Sequence, residues 1–285
     1  MEQLKIWSDR KNDNIIATLT RIILLTIILG NVLLPLPLQA QETKKVIIKY
    51  DTALLPIQPE ALEHELADSS RDAVKIYQLL RQANEQGQGE IVIHILDRLR
   101  QEEPNNAIVL SSYCLALDMA TGAYKYHPNR PIHNITNVER EKFRLSMSKA
   151  REIAPDLWLT YVVEGHRLAD KYPTAERGLG LLKKAVELNP ETSITHYLLG
   201  DAYTISTNQH SSEKAKEELE KSLTLKPVIA DARFALFQQY DLFSPEPIKA
   251  KEAAEAFVAS LPPGTKVSST TRARLIKYGV SIDWP

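Results

Sequence analysis

From Ala73 to Pro262 the apolar residues recur three and four positions apart, which places one stripe along each of a series of helices. The first stretch shows Ile76, Leu79, Leu80 and Ala83, then a turn with Gly87 and Gly89, then Val92, Leu96 and Leu99. Prolines close the second helix of each such pair, at Pro104, Pro155, Pro190, Pro227 and Pro262, with spacings of 51, 35, 37 and 35 residues. Five residues before each proline stand Leu99, Ala150, Ala185, Ser222 and Phe257; eight before stand Leu96, Met147, Leu182, Leu219 and Ala254. That register predicts about five helical hairpins, at 73–106, 107–157, 158–192, 193–229 and 230–264. Residues 41–72 read as an N-terminal arm and a capping helix from Pro59 to Ala67, with Leu62 and Leu66 on one side. Residues 265–285 read as a C-terminal capping helix with Leu275 facing inward, followed by a tail.

The stretch from Ser193 to Pro227 carries the most specific signal. His196 precedes Leu199-Gly200-Asp201-Ala202-Tyr203, Ala215 comes four residues before Leu219, and Pro227 ends the run. Small residues at Gly200 and Ala202 let a second helix approach closely, while Leu199 and Tyr203 share the face that must be buried. This order resembles the tetratricopeptide (TPR) motif, whose repeat length of about 34 residues is close to three of the four intervals. The resemblance implies an all-α fold, a right-handed α-α superhelix built as a TPR-like solenoid of antiparallel hairpins, and a role in binding.

Other repeats depart from the motif. Glu164 takes the leucine position of the third hairpin, which suggests a first helix shifted by one residue. Phe237 replaces the small residue of the fifth, where a distorted hairpin is expected. The second hairpin carries an inserted loop near 123–137, including Tyr126, His127, Arg130 and His133, before a Thr136/Glu139 capping box restarts the helix. Loops of that length often carry function.

TPR relatives bind along the concave wall made by their first helices, and the resemblance implies which residues line it here. The first hairpin contributes Tyr77, Arg81 and Asn84, the second Ser111, Leu115 and Asp118, and the third Val162 and His166. The fourth adds Tyr197, Asp201 and Thr204, and the fifth Asp231, Gln238 and Asp241. Only Arg81 is cationic, which argues against the basic clamp that TPR domains use to capture a terminal carboxylate. An extended neutral or basic segment, or a helix, suits the aspartates better.

Composition narrows the chemistry. A formal net charge of −1 and a pI near 6.7 provide no basic field for nucleic acid. The single cysteine, Cys114, excludes an intrachain disulfide and a multi-cysteine zinc site. The seven histidines form no metal-ligand motif; His127 and His133 share the inserted loop without the ligands a closed metal site needs. Gly178-Leu179-Gly180 lies within a helical stretch and is no phosphate loop. Asn134-Ile135-Thr136 matches a glycan acceptor. No catalytic residue, cofactor or metal is expected, and a hydrolase working through the inserted loop would lack a placed nucleophile.

The N-terminus reads as an address. Lys5, Arg10, Lys11 and Arg21 precede the apolar run from Ile22 to Leu34, and Leu38-Gln39-Ala40 offers a cleavage site. We expect residues 1–40 to be a signal peptide cut after Ala40, with the mature protein periplasmic or secreted. The alternative is a structural spacer anchored in the inner membrane by residues 15–38. The leading expectation is a non-catalytic scaffold with a protein or peptide partner, touching membrane only if its N-terminus stays uncleaved.

Overall fold

The computed structural model describes residues 57–121, 133–169, 173–205, 211–227, 229–261 and 267–282. The expected signal peptide, membrane anchor and extended arm fall on residues 1–56, outside the described residues, as does the inserted loop over 122–132. No described helix is long and apolar enough to cross a membrane.

The described residues are all-α. A short helix α1 (Pro59–Asp68) is followed by α2 (Ala73–Glu85) and α3 (Gly89–Glu102), α4 (Ala107–Thr121) and α5 (Asn137–Ile153), and α6 (Trp158–Ala169) and α7 (Ala175–Leu188). Then come α8 (Ser193–Ile205) and α9 (Ser211–Thr224), α10 (Ala230–Gln238) and α11 (Pro247–Ser260), and finally α12 (Ser269–Lys277). Within each pair the two helices pack on each other. The first helices also stack in series, α2 on α4, α4 on α6, α6 on α8 and α8 on α10. α1 rests on α2 and α3, with Leu62 and Leu66 fully buried, each contributing about 1.5–3 kcal/mol by removal from water.

Local chemistry explains where helices begin and end. The Asp72 carboxylate accepts from Val74 N and Lys75 N at 3.0 Å, and Asn106 Oδ1 accepts from Ile108 N and Val109 N. Thr136 and Glu139 form a reciprocal capping box at the start of α5. The proline stops share a geometry: Glu103, Ala154 and Asn189 each leave the helix with ψ between 62 and 78°. Their N–H groups still reach the carbonyls of Leu99, Ala150 and Ala185 at 2.7–3.0 Å. A following proline disfavours helical backbone at the residue before it, so each helix ends there. α2 and α12 end instead on left-handed glycines, Gly87 (φ 77°) and Gly279 (φ 71°). In both, the next residue's N–H bonds back to the fifth residue before it, Gln88 to Ala83 at 2.8 Å and Val280 to Leu275 at 3.1 Å.

Close packing is set by glycine. Gly200 faces Leu219 and the Ala215 carbonyl, where an added methyl would lie 2.8 Å from Leu219 Cγ and 3.2 Å from that oxygen. Gly165 faces Leu182 and the Gly178 carbonyl in the same way. The third pair therefore keeps the register of the fourth, and the one-residue shift expected from Glu164 does not occur. Glu164 stays in the leucine position because Arg151 of the preceding α5 pairs with its carboxylate.

The fifth pair is distorted. After Gln238 the chain widens into a π-helical turn, Gln239–Phe243, closed by Ser244 N donating to Gln239 O at 2.8 Å. Phe237 is fully buried in the place of the small residue, and α11 answers it with Ala254, also fully buried and in the same core cluster. Phe234, Phe257 and Tyr278 complete an aromatic cluster around it, and Arg274 lies over the Phe237 ring at 5.0 Å.

Candidate functional site

The inner wall of first helices is the surface to test, and it is more filled than the motif suggests. Tyr77 is only 2% exposed and belongs to the main hydrophobic core. Arg81 is buried against Asp231, its guanidinium paired with that carboxylate. The Asn84 amide is buried and donates to the Met119 carbonyl at 3.5 Å. Ser111 is buried and returns its hydroxyl to Ala107 O at 2.7 Å, and Leu115 and Val162 are core residues. Asp201 is buried as well.

Asp241 is the clearest correction. Expected at the acidic end of the wall, it instead anchors the C-terminal helix. Its carboxylate takes Arg274 Nε at 2.5 Å, Lys277 Nζ at 2.8 Å and Tyr278 Oη at 2.7 Å. Burial pushes its pKa up, but the bonds from Lys277, Tyr278 and Arg274 outweigh that and hold it below 3.8. Tyr77, Arg81, Asn84, Asp201 and Asp241 are thus buried rather than offered as an open groove. The physical reasons differ: Tyr77 packs in the hydrophobic core, Asn84 bonds the neighbouring α4, Arg81 pairs with Asp231 of the fifth pair, and Asp241 is taken by the terminal helix.

What stays partly exposed is a row drawn from four successive first helices. Asp118 on α4 and His166 on α6 are joined by a 2.9 Å hydrogen bond between Oδ2 and Nδ1, with the His166 side chain 31% exposed. Tyr197 follows on α8, with its hydroxyl directed to Asp231 Oδ2 at 3.5 Å, and Gln238 on α10 is half-buried. Thr204 accepts from Gln239 Nε2 at 2.6 Å, tying α8 to the π turn.

Of the inserted loop, Tyr126, His127 and Arg130 lie outside the described residues. His133 is described and has a local role. Its N–H bonds to Ala120 O at 3.0 Å, and its ring lies 2.9 Å from Glu139 Oε1 and 3.6 Å from Glu90 Oε1. Glu139 also receives both polar groups of Thr136. Burial raises its pKa, but these bonds and His133 bring it net below 4.5. Among the described residues no group of three His, Cys, Asp or Glu side chains could hold a metal ion.

The motif gave no warning of a buried polar contact between α8 and α9. His196 Nδ1 lies 2.6 Å from Glu218 Oε2, and its Nε2 lies 2.9 Å from the Pro190 carbonyl. Both neighbours accept, so both bonds form only when the ring carries two protons. The Glu218 bond, opposed by burial and helped by the Pro190 carbonyl, raises the His196 pKa above 6.5. A histidine in the motif with a glutamate on the facing helix was the only available signal.

No family model matches the chain, and no curated relative matches it. Solved structures do. The chain is similar to TTC0263, described as a thermophilic TPR protein of Thermus thermophilus, at 17% identity and a TM-score of 0.50, over 73% of this chain and 98% of that one. Two structures of MamA also align. One is a protein described as the MamA RS-1 ArsTM double mutant, with 20% identity, 66% and 92% coverage and a TM-score of 0.38. The other is a MamA protein with 17% identity, 76% and 99% coverage and a TM-score of 0.36. The likeness to TTC0263 supports a TPR-like helical-repeat fold for this chain.

Proposed function

We propose that the protein is a non-catalytic scaffold that binds a protein or peptide segment along the inner wall of its first helices. The observation that carries this reading is the partly exposed row Asp118, His166, Tyr197 and Gln238, contributed by α4, α6, α8 and α10 in turn. One polar or aromatic group per repeat suits a segment laid along the stack, with main-chain groups read by the polar side chains and Tyr197 as anchor.

Affinity capture from the native compartment tests it. His166→Ala together with Gln238→Ala should abolish recovery of the bound protein while far-UV helicity stays unchanged. Truncating a contributing interface side chain costs about 1 kcal/mol or more. Undiminished recovery would remove the wall from consideration.

The same proposal places the scaffold in the periplasm or outside the cell, on the strength of the basic residues, apolar run and Ala40 junction of the first 40 positions. Mass spectrometry of protein from its native host should find a mature N-terminus at Gln41. A chain still beginning at Met1 would favour the membrane-anchored spacer.

A further inference from the structure

In a solenoid each repeat touches only its neighbours. Among the described residues, the pairing of Arg81 with Asp231 does not follow that rule. Arg81 lies on α2, in the first pair, and Asp231 lies in the first turn of α10, in the fifth. Their side chains pair with only 10% and 6% exposure. α2 packs chiefly on α1, α3 and α4, and α10 on α8, α9 and α11, so the ion pair spans the array and does not follow its stacking order. Tyr197 of the fourth pair directs its hydroxyl to the same Asp231 oxygen at 3.5 Å. One carboxylate thus gathers groups from the first and fourth pairs at the position where the inner wall would have to admit a partner.

We propose that the Arg81–Asp231 pair is a latch that holds the inner wall closed, and that a bound segment enters only when the pair has parted. The inference rests on reading the wall as the binding surface. Its physical basis is the balance within a buried ion pair. The attraction is offset by the cost of stripping water from both charges, so parting them into water loses the contact and regains hydration. Such a contact can close a surface without sealing it. Removing one partner differs, because the remaining buried charge is driven toward solvent and the closed form is penalised.

Distance measurement tests the latch without any partner. Nitroxide labels at Gln101→Cys on α3 and Lys251→Cys on α11, both exposed, report the separation of the first and fifth pairs in the full chain, while Cys114 is buried. The otherwise unchanged protein should give one narrow distribution. Asp231→Asn should shift it to longer distances and broaden it, Arg81→Lys should leave it narrow, and the exchange Arg81→Asp with Asp231→Arg should restore it. Should Asp231→Asn lose helicity, Arg81→Gln removes the other charge of the pair, leaves the buried Asp231 carboxylate without it and should shift the distribution in the same way. An unchanged distribution in the folded neutral variants overturns the latch.

A displayed random peptide library separates this inference from the one beneath it. The opened variant should retain more library peptides than the latched protein. If the distances lengthen but no peptide is retained by the opened wall, the latch stands and the binding role fails. If the distances do not change, the latch fails whatever the library shows.

Discussion

Gly178 of α7 meets Gly165 of α6 so closely that a methyl group on Gly178 would sit 2.7 Å from the Gly165 carbonyl oxygen and equally close to the Ala169 Cα. Both obstacles are backbone, which cannot rotate aside. Gly178→Ala should therefore destabilise the protein by about 1–3 kcal/mol, the usual cost of overpacking. Gly180→Ala, two residues away with nothing within 4 Å of its added carbon, should stabilise it by up to about 1 kcal/mol through helix propensity. Urea denaturation of the two variants should move the midpoint in opposite directions.

His196 makes stability depend on pH in a stated direction. Its folded pKa lies above 6.5, so its contribution is fully present below 6.5 and is lost as pH rises through the folded value. Hydrogen bonds to charged groups contribute about 1.5–3 kcal/mol. The melting temperature should fall on going from mildly acidic to alkaline buffer, and His196→Gln should flatten that dependence. Equal slopes for the two proteins would refute the assignment.

Asp241 works with the opposite sign. Its pKa is lowered below 3.8 in the fold, so what it contributes is present above 3.8 and is lost as pH falls through the folded value. Asp241→Ala leaves Arg274 and Lys277 without their carboxylate and should cost roughly 3–5 kcal/mol, as breaking a buried pair does. Hydrogen exchange should show faster exchange in α12 first, with the first two helix pairs unaffected.

Cys114 is fully buried, and burial pushes its thiol pKa far above the ordinary 9.0. A thiol reagent should leave the native protein unmodified and titrate one group after denaturation. Rapid reaction of the native protein would mean that the α4–α5 contact opens on its own.

Much of the architecture was legible because its causes are local. The three-and-four spacing marks each buried stripe, and the clash between a proline and the residue before it marks the ends of three second helices, at Glu103, Ala154 and Asn189. Gly200 announced a close approach because only a missing side chain permits it. Glu164 misled for the converse reason. Its partner Arg151 lies on the preceding pair, and no periodicity within α6 reveals it.

By itself the sequence determined the helix pairs, their order and the places where they stop, since these follow from interactions a few residues apart. Tertiary structure alone decided which wall residues remain accessible. Arg81 and Asp231 meet across 150 positions, and Asp241 is claimed by a helix beyond the last repeat. Both outcomes depend on which distant helices the packing brings together, and that follows from the summed contacts of every pair rather than from any one segment.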